Sequence, residues 1–113
     1  MDGKVTISPE VVLQVARITT LATPGVLGLI DAQNKPAPPA GHAAALRHAQ
    51  RGIEALLEDG RARIRLNVIA SAATPLVELG RQIQASVANA MAEIVGIEDT
   101  AVDVTFVDVR QTS

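Results

Sequence analysis

The dipeptide Asp59-Gly60 sits between two alternating stretches that mirror each other about it. The favoured two-residue hairpin loops need positive φ at both positions, and Asp-Gly accepts that conformation. Folding the chain there sets Leu57 opposite Ala62, Ala55 opposite Ile64, and Ile53 opposite Leu66. The other side of the same ladder sets Glu58 opposite Arg61, Leu56 opposite Arg63, and Glu54 opposite Arg65. One face is aliphatic and the other carries opposed charges. A slip of one residue would invert both, so this register is strongly specified. A helix through Ile53 to Leu57 is the rival reading, and the Asp-Gly turn and the long alternation after it disfavour that.

Two helices are expected around this hairpin. Ser8-Pro9-Glu10 opens the first: Ser caps free N–H groups, Pro suits the first helical position, and Glu complements the dipole. Val11, Val15, Ile18 and Ala22 form its expected apolar stripe, and Thr23-Pro24-Gly25 ends it. Thr74-Pro75 repeats the opening device for a second helix that runs to about Val95. Leu76, Leu79, Ile83, Val87, Ala90, Met91 and Ile94 make its stripe, and Gly96 terminates it. Gly80 within it is expected to serve close packing on the sheet.

Three further strands are expected. Val5-Thr6-Ile7 is a short β-type run. Val26 to Ile30 is a second, with Gly28 marking a bulge or a close backbone approach. Ala101 to Val109 is the last, with Val102, Val104 and Phe106 on one face and Asp103, Thr105 and Val107 on the other. The expected fold is therefore α+β, with two amphipathic helices on one face of a four- to five-stranded mixed sheet, in the order β-α-β-β-β-α-β. If Val26 to Ile30 is only a turn, the order becomes that of a split βαβ, ferredoxin-like domain. Residues 1–113 are expected to form one domain, with a flexible Pro/Ala-rich loop at about 31–50. Within it, Ala43 to Gln50 reads as one or two helical turns or as a mobile stretch.

Chemistry is scarce. The 113 residues include no Cys, which excludes disulfide scaffolds, thiolate zinc sites and cysteine nucleophiles. There is no Trp or Tyr and a single Phe, so no aromatic platform for stacking bases. His42 and His48 are two potential ligands where a metal needs at least three, and they read as solvent-exposed polar residues. No phosphate loop, dinucleotide fingerprint or nucleophile elbow is present. Asp103 and Asp108 stand five apart on one strand, which tends to put them on opposite faces and makes a poor acid–base pair. No catalytic, cofactor or metal residue is expected, and the protein reads as a non-enzyme.

The candidate site is the charged hairpin face: Glu54, Leu56, Glu58, Arg61, Arg63 and Arg65. Its plain reading is a solvated strand surface. An alternating arginine stripe also suits phosphate or anionic lipid, which gives the alternative of a small nucleic-acid-binding or regulatory module. The net charge of −2 and the facing carboxylates make nucleic acid an unlikely partner. Leu56 in the centre of the patch suits a protein-interaction face.

The start of the chain has no apolar signal core, and no apolar run reaches the roughly 18 residues of a membrane span. A cytoplasmic location is expected, with any membrane association made through a partner.

Gly3 to Val12, then Val15-Ala16, then Pro24-Gly25-Val26-Leu27-Gly28, resemble the opening of the alkaline shock proteins, a bacterial envelope-stress family. Leu76-Val77-Glu78-Leu79, Ile83-Gln84, Val87, Gly96-Ile97 and the run from Val102 to Val107 follow the spacing of its second half. Individually these motifs are generic, and their order over residues 3–30 and 52–109 carries the resemblance. A Tyr-Gly or similar step often enters the family's second helix, where this chain has Ser71 to Thr74. The resemblance implies a non-enzymatic structural or interaction protein in cell-envelope stress or homeostasis. It further implies self-association and a small membrane-protein partner, with no small-molecule substrate.

Overall fold

The computed structural model describes residues 3–31 and 46–111. Helix α1 (Pro9–Leu21) leads to strand β1 (Val26–Leu29), then β2 (Leu46–Gln50), β3 (Ile53–Glu58) and β4 (Arg61–Ser71). Helix α2 (Leu76–Ala90) follows, extended by a π turn (Met91–Val95), and β5 (Asp99–Arg110) closes the described fold.

β4 is the organising strand. The hairpin β3–β4 takes the register expected of it, from Glu58↔Arg61 to Ile53↔Leu66. Asp59 and Gly60 both adopt positive φ, as their turn requires. β4 then runs beyond its partner, and β1 pairs antiparallel with that remainder, Leu29↔Val68 to Val26↔Ala70. The two short strands meet end to end at Gly52, whose φ is +78°. A Cβ there would lie 2.6 Å from the Ile30 nitrogen, so only glycine closes the seam. The Asp31 carboxylate accepts the Gly52 N–H at 2.6 Å and holds the junction. β5 lies parallel along the other side of β4 for its whole length. The sheet is five-stranded and mixed, with β2 pairing β3 at one margin.

The class and the two-helix cover are as expected, but the strands are not all the expected ones. Residues 5–7 form no strand, and Val5 is 93% exposed. A three-residue run gains sheet geometry only from a neighbouring strand, and none of the described strands pairs with it. The fifth strand is β2, formed by residues whose local sequence reads as helical turns or part of a flexible loop. The β3 edge, once built, offers those residues a partner that no local signal reveals. The rest of that loop lies outside the described residues. The bulge anticipated at Gly28 is present: Val26 pairs with Ala70 and Gly28 with the adjacent Ile69.

Both helices pack on the aliphatic face of the sheet. The core joins Ala62, Ile64, Leu66, Val68 and Ala70 of β4 to Leu79, Ile83, Val87 and Met91 of α2. α1 contributes Val12, Leu13 and Ala16. This corrects the stripe expected for α1: Val11, Ile18 and Ala22 are exposed and Val15 is half-buried. The helix is apolar on more than one side, and its packing partners select the face.

Capping at α1 is as expected. The Ser8 Oγ accepts the Glu10 N–H at 3.3 Å, with Pro9 in the first turn. At α2 Pro75 itself occupies the cap position, and no side-chain cap bond forms there, contrary to the role expected of Thr74. The π turn also alters the predicted stripe. It inserts a residue into the helical phase, which sends Ile94 out to 69% exposure and turns Val95 towards the core. Gly96 ends it in the left-handed region, φ +90°. Gly80 sits against the Phe106 ring, where an added Cβ would be 3.5 Å from the ring edge.

Candidate interaction face

The face of the sheet away from the helices gathers the six residues singled out by sequence. Arg61, Arg63 and Arg65 alternate along β4 and are exposed. β3 places Glu58, Leu56 and Glu54 directly across from them. Glu58 is exposed, Leu56 half-buried, and Glu54 buried at 8% exposure. The Arg65 guanidinium lies 3.9 Å from the Glu54 carboxylate.

Sequence reasoning missed the residues that meet the arginines from the other side. β5 runs parallel to β4 with Arg61↔Asp99, Arg63↔Ala101 and Arg65↔Asp103 in register. Arg61 Nε is 3.1 Å from Asp99, and Arg63 Nε is 3.0 Å from Asp103. Arg65 Nε also approaches Asp103, at 3.8 Å. Each arginine therefore has a carboxylate within reach. The alternation Asp103, Thr105 against Val102, Val104 was the one local signal for this. Only the parallel pairing tells which partner it serves.

A second correction concerns Asp108. Phe106 pairs with Val68 and Asp108 with Ile69, so Val107 is an extra residue at a bulge. The bulge reverses the side-chain parity beyond it and places Asp108 on the same face as Asp103. Asp108 is engaged locally, 3.0 Å from Arg110 Nε.

A shallow depression of about 580 Å³ opens at the hairpin end of this face, lined by Leu56 and Ala101, which flank Arg63 across the sheet, and by Glu58, Arg61 and Asp99. Its lining mixes charged side chains with two apolar ones on either side of Arg63. A second groove, between α1 and α2, is lined by Ile18, Ala22, Pro24 and Ala85 among others. Among the described residues no group of three acidic or histidine side chains could hold a metal ion. His42 lies outside the described residues, and His48 falls in β2.

The model of the alkaline shock protein 23 family, described as having a cell envelope-related function, matches residues 1–111. The chain belongs to the alkaline shock protein family. The resemblance carried by the motifs of both halves is thereby a membership. Among curated proteins none matches the chain in sequence. Solved structures similar to it include MamM-CTD in two histidine-to-alanine variants, each with a TM-score of 0.55. Identities are 16% and 17%, over 92% of this chain and 100% of the other. An aspartate-to-histidine variant in a copper form aligns with a TM-score of 0.55 at 16% identity and the same coverage. At these identities the likeness is one of fold. No helix among the described residues is long and apolar enough to cross a membrane.

Proposed function

We propose that this member of the alkaline shock protein family acts without catalysis, as a self-associating interaction protein of the cell envelope that engages a small membrane-protein partner from the cytoplasm. The observation that carries the reading is the open sheet face. One side of the sheet is closed by two helices, while the other presents Leu56 and Ala101 on either side of Arg63, among ion pairs. Ion-paired, half-exposed side chains contribute little to folding stability, so a ladder of them suits recognition better than scaffolding. Family membership supplies the envelope setting. The carboxylates beside Arg61, Arg63 and Arg65 weigh against phosphate contact and hence against the nucleic-acid reading.

The test is affinity capture of the tagged protein from separated membrane and cytosolic fractions, compared with a Leu56→Asp variant. Recovery of a small integral membrane protein with the native chain, lost with the variant, is the expected result. Capture of RNA, or identical companions for both proteins, would reject the reading.

A further inference from the structure

Among the described residues there is a strand-forming segment outside the sheet and a sheet edge with no strand on it. Lys4-Val5-Thr6-Ile7 has the β-branched composition of a strand, yet residues 3–8 enter none of the described pairings. Val5 is 93% exposed and Ile7 40%. The 12-residue β5 pairs only with β4 among the described strands.

β5 carries few of the devices that blunt an edge. It has no Pro and no Lys, and most of its twelve residues are β-formers, with Asp at 99, 103 and 108. Two features limit the stretch that can accept a strand. The Gln84 side chain of α2 donates to the Val102 carbonyl at 3.0 Å, and the bulge at Val107 interrupts the ladder. Between them lies Asp103 to Phe106, four residues, the length of Lys4 to Ile7. Lys4 would come against an edge that bears Asp99, Asp103 and Asp108, and would there join the ion pairs these make with Arg61, Arg63 and Arg110.

We infer that residues 4–7 of one copy add as a strand to the outer edge of β5 in a second copy. This rests on the self-association proposed above and names its contact. The second copy is the occupant for a geometric reason. α1 packs against α2 and β3, and it is α2 that covers β5, so the helix that residues 4–7 lead into lies across α2 from that edge. Reciprocal addition across a two-fold axis would use both edges and close the pair.

The experiment is light scattering of the full chain beside a Val5→Pro/Ile7→Pro variant, with amide deuterium exchange at residues 4–7. Proline removes the ladder donors and leaves the helices and their core intact. The native chain should have at least twice the chain mass, and its residues 4–7 should lose protection on dilution. The variant should fall to the chain mass and still unfold in one cooperative transition, with a melting temperature no longer dependent on concentration. A variant that keeps the native mass overturns strand addition and leaves self-association standing. A native chain that is monomeric at every concentration overturns both. Protection at residues 4–7 that does not change on dilution places the segment on its own edge and also rejects exchange between copies.

Discussion

The two faces of this sheet are made by the same strands and stabilise different things. On the helix side, Ile64, Leu79, Ile83 and Val87 are wholly buried and are held by the removal of apolar area from water. On the open side, Arg63 and Asp103 keep 56% and 44% of their side-chain surface in solvent. There a Coulomb attraction competes with hydration and side-chain entropy, and nets little. The contrast teaches that the alternation of β4 divides its residues: the even-numbered ones from Ala62 to Leu66 fold the protein, and the alternating arginines stay on the open face, the one proposed above for recognition.

The largest test of that contrast is Ile64→Ala. The side chain is 0% exposed, and its loss should cost about 2–5 kcal/mol in a denaturant melt. A cost below that of a surface substitution would break the comparison. Next, Thr20→Val asks whether the covered face is fully optimised. The Thr20 hydroxyl is buried with no hydrogen-bond partner, so the isosteric change should raise stability by about 1 kcal/mol. Thermal unfolding reads it directly, and a loss of stability would show that the hydroxyl is satisfied after all.

Gly80→Ala sharpens the same side. Its Cβ would reach the Phe106 ring at an ordinary contact distance, while helix propensity improves by up to about 1 kcal/mol. A gain of that order in the urea midpoint is expected, and a decrease would mean that the helix needs the closer approach. Smallest of all, Arg63→Ala on the open face should move stability by less than about 1 kcal/mol, and less still in high salt. If it unfolds the protein, the ladder is structural and the division between the faces fails.

How much of this was legible follows the range of each signal. The hairpin was readable residue by residue because its determinants lie within six positions on either side of Asp59-Gly60. The helices were readable as segments, but not their faces: α1 offers Val11 and Ile18 as well as Val12, Leu13 and Ala16. Five of the six candidate site residues lie exposed or half-buried on the open face, and Glu54 is buried there beside Arg65. The aspartates that complete the patch were not legible as its members, because 38 positions separate Arg61 from Asp99 in the pairing β4–β5.

What the sequence by itself determined is the α+β class, the β3–β4 register, the helix boundaries to within a turn, and the family. These depend on alternation, turn chemistry, and capping or helix-ending residues close to one another in the chain. Tertiary structure alone decided the buried side of α1, the recruitment of residues 46–50 as a strand, the parallel docking of β5, and the exposure of Ile94 beyond the π turn. Each of those is a choice between local conformations of similar energy, and it is settled by which surface a distant element presents.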